Sequence, residues 1–235
     1  MAYRPTEKTR AAQAQRRAAL LHEATALVAK GGFAAATVKA IAERCEVSVG
    51  SVYSHFDGSG ELLAAVFRIG ADQELAAVRD AVDAAAGPVD RLRALVETFA
   101  VRAIKGRQLA WSLLFEPVDP RIDAERLDYR AAYHALTTEI LREGMSTGVF
   151  PLQHLEVTAA ALIGAISESL TGRLSPAHAV APSDSDDARA VTVSDSDDAR
   201  TVEAILRFCL HGVGYEPTAP DRPTTEAPPI EGTRQ

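Results

Sequence analysis

Two hydroxyl side chains in the first quarter of the sequence stand where helices would begin. Thr37 precedes an apolar stripe that opens at Val38, and Ser48 precedes Val52 and Phe56, which lie one helical turn apart. A hydroxyl at such a position caps the helix, whose first N–H groups and positive dipole end attract phosphate. The chemistry that this spacing favours is therefore non-covalent binding of a nucleic-acid backbone.

The elements around these residues form a compact helical unit. Strong helix formers fill residues 11–30, the sequence GGF at 31–33 ends that helix, and Glu46 and Val47 form a tight break between two shorter helices. The sequence DGSG at 57–60 closes the unit. Three short helices, the last two joined by a turn of a few residues, predict a DNA-reading helix-turn-helix.

Three segments of this unit resemble the tetracycline-repressor (TetR) family. They are GGF at 31–33, TVKAIA at 37–42 and above all VSVGSVYSHF at 47–56, and the match extends over about residues 15–67. The resemblance implies a long first helix, a reading pair and a fourth helix that joins the DNA head to a ligand domain. It also implies a repressor that binds operator DNA and responds to a small molecule.

The resemblance implies a role for each matching position. Thr37, Ser48, Tyr53 and His55 resemble phosphate-contacting or positioning residues, and Lys39 resembles a position near the DNA backbone. The remaining predicted DNA-binding residues are Gly50 and Ser51, which would face base edges, together with Val49 and Ser54.

The sequence departs from the family pattern where relatives carry cations. Val49 stands where many have Lys, Ser54 where many have Arg, and Ser59 where most have Lys. Glu46 replaces a small turn residue, often Gly. Each lost phosphate contact lowers the salt dependence of binding by about one unit of slope. Val49 fits two interpretations equally well, a contact with a thymine methyl group or a place in the apolar core.

Charge is distributed unevenly along the chain, which carries a formal net charge of −7. Residues 1–60 hold eight Lys or Arg against five Asp or Glu, which leaves 17 against 27 for residues 61–235. A basic head on an acidic body is consistent with DNA binding by the head alone.

The rest of the chain reads as helices without a credible strand, so the predicted fold is all-α. Helices are expected at about 61–86, 88–105, from Trp111 to Phe115, from 119 to the region 144–148, at 154–174 and at about 201–212. The predicted domains are a basic flexible arm at 1–14, a helix-turn-helix domain at 15–62, and a helical ligand-binding and dimerisation domain at 63–215. SDSDDAR occurs at 183–189 and again at 194–200, which predicts a disordered acidic insert at 176–200, and a proline-rich disordered tail follows at 216–235.

The second domain suggests a pocket and a dimer interface. Aromatic and polar side chains in its middle helices could hold a small apolar ligand, with Arg102 and Glu168 orienting a polar group, although plain helix packing explains each residue equally well. The candidate ligand-binding residues are Phe99, Arg102, Trp111, Phe115, Tyr129, Tyr133, His134 and Glu168. The resemblance implies a homodimer through the small-residue helix 154–174 and helix 201–212, with an ordinary intrachain core as the alternative.

Several functions are disfavoured by what the sequence lacks. It contains no nucleophile elbow, HExxH, CxxC pair or glycine-rich phosphate loop, so we predict no catalytic residue, metal site or cofactor. A polar basic start without an apolar stretch behind it predicts a cytoplasmic protein with no membrane partner. The competing hypothesis is a helical ligand-binding or scaffold dimer with a degenerate DNA-binding head.

Overall fold

The computed structural model describes residues 6–176 and 187–216, with the backbone alone over 187–195. These residues form helices and loops without a strand, which confirms the all-α prediction for that part of the chain. The helices are α1 (Glu7–Ala35), α2 (Val38–Arg44), α3 (Val49–Tyr53), α4 (Ser59–Ala84), α5 (Gly87–Lys105), α6 (Arg107–Leu114), α7 (Pro120–Ser146), α8 (Leu155–Leu174) and α9 (Asp187–Gly212).

Helices α1 to α3 close on a small core that the start of α4 completes. Val28, Ile41, Val52 and Leu62 are almost fully buried, one from each of these four helices. The predicted boundary between residues 62 and 63 falls inside α4, which continues without interruption into the second part of the molecule. A single continuous helix, α4, therefore connects the head, formed by α1 to α3, to the body, formed by the rest of α4 and α5 to α9.

The predicted flexible arm at 1–14 is wrong for residues 7–14, because α1 begins at Glu7. The Thr6 side chain caps the helix by accepting a hydrogen bond from the Thr9 N–H at 3.3 Å, and Glu7 is acidic in the first turn. An alanine-rich continuation then propagates the helix. Residues 1–5 lie outside the described residues.

Helices α4 to α9 enclose the larger core. Leu92, Leu95, Ile140, Ile166 and Leu170 are nearly inaccessible to solvent. Across residues 6–176 and 187–216, no helix is long and apolar enough to cross a bilayer.

The predicted disordered insert at 176–200 is wrong for residues 187–200, which form the first half of α9. Arg173 pairs with Asp197 at 2.7 Å and with Asp198 at 3.1 Å, and Arg107 reaches Asp198 at 3.0 Å. Asp197 and Asp198 of the second acidic repeat are thus paired with two cations, Arg173 of α8 and Arg107 of α6. Residues 177–186 and the predicted tail from 217 lie outside the described residues.

Candidate DNA-reading surface and ligand cavity

The two predicted N-caps are confirmed. The Thr37 hydroxyl accepts a hydrogen bond from the Ala40 N–H at 3.1 Å, and the Ser48 hydroxyl accepts one from the Ser51 N–H at 3.1 Å. Each hydroxyl oxygen is occupied as an acceptor, while its O–H can still donate. Both residues are exposed, so each can give that hydrogen bond to a phosphate oxygen.

Helix α3 buries one face and exposes the other. Val52 is 1% exposed, whereas Val49 is 43% and Tyr53 is 51% exposed. Gly50 and Ser54 are exposed on the same side as these two residues. Val49 therefore does not join the core, which rules out the second interpretation of this residue. An exposed face with two large apolar side chains is suited to contact a partner.

The other predicted DNA residues lie around this face in different environments. His55 is partly buried at the end of α3, and the Ser54 hydroxyl donates to the Ser51 carbonyl at 2.6 Å. Lys39 is exposed on α2 and lies 3.8 Å from Glu43. We define the reading surface as the exposed residues Thr37, Lys39, Ser48, Val49, Gly50, Tyr53 and Ser54, with Ser51 and His55 at its edge.

The turn between α2 and α3 carries backbone strain at Glu46. Its φ of 55° lies in the left-handed region, and among the described residues it is the only non-glycine with a positive φ. The Val47 N–H closes the turn on the Ala42 carbonyl at 3.0 Å. Only glycine adopts this conformation without a steric cost, so Glu46 holds a backbone conformation that suits glycine better.

Two substitutions of Glu46 distinguish the effect of the backbone strain from the effect of the carboxylate charge. We expect Glu46→Gly to stabilise the fold by about 1 kcal/mol, because glycine relieves the left-handed strain. Glu46→Ala retains the strain and removes only the carboxylate. Both variants should bind DNA more tightly than the parent protein, and only Glu46→Gly should raise the melting temperature. Equal melting temperatures for the two variants would contradict this account of the turn.

Several cations of the head are already paired within the protein. Arg17 contacts Glu61 at 3.5 Å and lies 4.6 Å above the Phe56 ring, while Arg44 pairs with Glu23 at 2.6 Å. Lys8, Arg10 and Arg16 are exposed on the first turns of α1, and within residues 6–176 and 196–216 no acidic side chain lies within ion-pair distance of them. In the described part of the head, these three cations therefore lie on a helical segment from which they can reach DNA phosphates.

A cavity of about 100 Å³ lies between α4, α5, α6, α7 and α8. Four of the eight predicted ligand residues line it: Phe99, Arg102, Tyr129 and Tyr133. Its wall is completed by apolar side chains such as Phe67, Leu109 and Leu113.

The other four predicted ligand residues lie elsewhere. Trp111 and Phe115 pack against each other with ring centroids 5.4 Å apart and border the body core. His134 and Glu168 line a separate, more open groove of about 660 Å³ between α7 and α8. Arg102 binds Glu74 of α4 through two hydrogen bonds of 2.6 and 2.9 Å. Arg102 lines the cavity and Glu168 lines the groove, so the structure does not place these two residues in the same space.

Two tyrosine hydroxyls on the cavity wall have a raised pKa. Burial, followed by the Glu74 carboxylate, raises the pKa of the Tyr133 hydroxyl, so it remains protonated and available as a donor. Burial and a hydrogen bond to Asp72 raise the pKa of Tyr129, which ties α7 to α4. These groups can orient a polar atom on an otherwise apolar ligand.

Sequence reasoning missed Arg126, which lines the cavity and also binds the C-terminal end of α6. Its guanidinium donates to the carbonyls of Leu113 at 3.0 Å and Ser112 at 2.9 Å, and to the Glu116 carbonyl. Asp123 balances its charge at 2.7 Å. A helix C-terminus presents unpaired carbonyls and a negative dipole end, both of which this cation satisfies.

Glu116, which the sequence analysis also did not identify, lies just after α6 and contacts the backbone of the head. Its carboxylate accepts hydrogen bonds from the N–H groups of Phe33 at 3.0 Å and Ala34 at 3.2 Å. Gly32 has a φ of 74°, and a Cβ placed there would lie 2.7 Å from a Glu116 carboxylate oxygen. The GGF sequence thus interrupts the helical backbone near the end of α1 and lets the Glu116 carboxylate approach the backbone of the head.

Comparisons with known proteins agree with this two-part architecture. A family model described as bacterial regulatory proteins of the tetR family matches residues 20–66, and one described as a tetracyclin repressor-like C-terminal domain matches residues 85–171. The chain is similar to the HTH-type transcriptional repressor KstR2 of Mycobacterium tuberculosis, with 29% identity over 142 residues, which cover 57% of this chain and 69% of that protein.

Solved structures share the arrangement of helices. A regulator of the tetR family from Rhodococcus RHA1 superposes with a TM-score of 0.58 at 26% identity, covering 83% of this chain and 96% of that one. FadR from Bacillus subtilis, solved in complex with stearoyl-CoA, superposes with a TM-score of 0.64 at 16% identity, covering 83% and 98%. At that identity the FadR likeness shows the fold alone.

Proposed function

This chain belongs to the tetR family of bacterial regulatory proteins, and on that premise we propose a dimeric repressor that a ligand in the α4–α8 cavity releases from its operator. DNA-binding regulation is the function of the family. The observation that carries the proposal is the continuous connection from the cavity, through Arg126 and Glu116, to the backbone of the head.

We assign DNA contact to the reading surface. Val49 and Tyr53 are exposed on α3, and Gly50 leaves space beside them for a base edge or sugar. Thr37 and Ser48 supply hydroxyl donors at the two helix starts, and Lys39 adds a cation beside them. The exposed basic start of α1 provides the phosphate attraction that the reading surface lacks.

We assign dimerisation to α8 and α9. Val157 on α8 and Phe208 on α9 are each 62% exposed, so both helices present a large apolar side chain to a partner. Small residues also lie on α8 away from the α7–α8 groove, and a Cβ at Gly172 would meet no atom within 4 Å. A second copy packed on these helices would bury the two side chains and bring two heads onto adjacent half-sites.

The cavity supports a small effector with an apolar body. A ligand that enlarges the cavity would push on Leu109 and Leu113 of α6, which lie on its wall. Because Arg126 holds the end of α6 and Glu116 follows directly, a displacement of α6 would be passed to Phe33 and Ala34. A ligand lowers DNA affinity only if it binds the DNA-binding conformation less tightly than the conformation that releases DNA.

Removing the Glu116 contact tests this connection. In Glu116→Gln one carboxylate oxygen is replaced by an NH₂ group that faces a backbone N–H, so one acceptor is lost. We expect amide exchange at Phe33 to be about tenfold faster, equivalent to about 1.4 kcal/mol, and operator affinity to fall several-fold. Hydrogen exchange followed by mass spectrometry or NMR measures the first effect.

The matched control for this test is Asp128→Asn, which removes an exposed carboxylate from α7 without touching the head. Its exchange at Phe33 and Ala34 should match that of the parent protein. Unchanged protection of both amides in Glu116→Gln would contradict the proposed coupling.

A further inference from the structure

The arginines on the cavity wall have different partners. Arg102 is bound by Glu74, and Arg126 is bound by Asp123 and three backbone carbonyls. Arg130 lies on the same wall, yet within residues 6–176 and 196–216 no carboxylate lies within ion-pair distance of it. The cavity wall thus carries three cations against one anion, Glu74, in a protein with a net negative charge.

Arg130 also occupies a boundary between two spaces. Together with Ile163 and Ser167 it lines both the inner cavity and the outer groove between α7 and α8. These three residues are therefore where the two spaces approach each other. A ligand longer than the cavity would extend past them into the groove.

We propose that the effector is an amphiphile whose apolar part fills the cavity and whose anionic group, a carboxylate or a phosphate, binds Arg130 at the junction with the α7–α8 groove. This inference rests on the proposed function. A guanidinium presents several N–H donors to either anion, and such charge-assisted hydrogen bonds are stronger than neutral ones.

The groove contains one charge that opposes this binding. Glu168 lies in the groove with Arg130 but forms no ion pair with it, and His134 is engaged by the Glu156 carbonyl at 3.1 Å. Glu168 therefore repels an anion at Arg130 rather than neutralising the arginine. Opposite effects of substitutions at Arg130 and Glu168 are a specific consequence of the proposal.

Calorimetric titration of the full chain with octanoate, octyl phosphate and octanol, below the concentrations at which micelles form, tests the site. The two anions should bind at least tenfold more tightly than octanol. Arg130→Gln should remove that preference and leave octanol binding unchanged, while Glu168→Gln should strengthen anion binding several-fold. Arg142→Gln, an exposed arginine on the same helix that lines neither space, is the matched control. The ratio of the two anion affinities distinguishes a carboxylate site from a phosphate site.

The proposal is overturned if none of the three compounds binds, if the parent protein shows no preference for the anions, or if Arg130→Gln weakens all three equally. Operator binding by the same samples distinguishes this failure from failure of the proposed function. Release of DNA by octanol as effectively as by the anions would retain the cavity effector and reject the anion site. Anion binding through Arg130 without any effect on DNA would retain the site and reject ligand-controlled release.

Discussion

Gly50→Leu should abolish specific DNA binding without harming the fold. Gly50 is exposed on α3, and the nearest atom to a Cβ built there is the Ser48 hydroxyl oxygen at 3.9 Å, so the protein itself accommodates a side chain. Leucine also has the higher helix propensity, by about 1 kcal/mol. On the DNA side the same side chain would occupy the space needed for a base edge. We expect a loss of operator affinity of about 100-fold, equivalent to about 2.7 kcal/mol.

Smaller substitutions on the same surface complete this test. Tyr53→Phe removes one hydroxyl and His55→Ala removes an imidazole, and each should weaken operator binding several-fold without dissociating a dimer. Ala26→Leu adds the same side chain as Gly50→Leu to an exposed position of α1 and should leave binding unchanged. The assignment of the reading surface would be wrong if Gly50→Leu, Tyr53→Phe and His55→Ala all bound the operator normally.

Phe208→Asp should convert the protein into monomers. A carboxylate buried against a second copy would lack a partner, and a central aromatic residue is the type that dominates interface energy. We expect dimer dissociation to be about 100-fold more favourable and operator affinity to fall with it, because a single head loses the advantage of two linked contacts. Sedimentation equilibrium measures the first effect and a DNA titration the second.

Leu127→Asp provides the matched control for Phe208→Asp. Leu127 on α7 is 66% exposed, comparable with Phe208, and lies outside α8 and α9. The control should remain dimeric and bind DNA. If the parent protein sediments as a monomer, or if Phe208→Asp remains dimeric, then α8 and α9 do not form the proposed interface.

Local patterns in the sequence were sufficient to predict the head. The two N-caps at Thr37 and Ser48 and the break at GGF depend on residues within a few positions of one another, and each is found in the structure. The exposure of Val49 could not be decided in the same way. Val52 and Phe56 form an apolar stripe whether Val49 belongs to it or faces solvent. Only the packing of α3 on the other helices decides between these two positions of Val49.

Features that depend on distant residues could not be predicted. Asp197 and Asp198, in an acidic repeat that resembles a disordered segment by composition, pair with Arg107 and Arg173 from distant parts of the chain. Glu116 approaches Gly32 across more than eighty positions of sequence, and no local signal marks that contact. The division of the aromatic residues between the cavity and the core likewise follows from how α6 packs, which composition does not specify.

The most direct test is a fluorescence anisotropy titration of the purified protein against its own upstream intergenic DNA, with random duplex as the control and salt concentration as the variable. We predict binding at least about 1000-fold tighter to the upstream DNA than to random duplex, with a salt dependence that reflects few phosphate contacts. Equal affinity for both duplexes would contradict the account. The chain would then be a helical ligand-binding or scaffold dimer whose head no longer reads DNA.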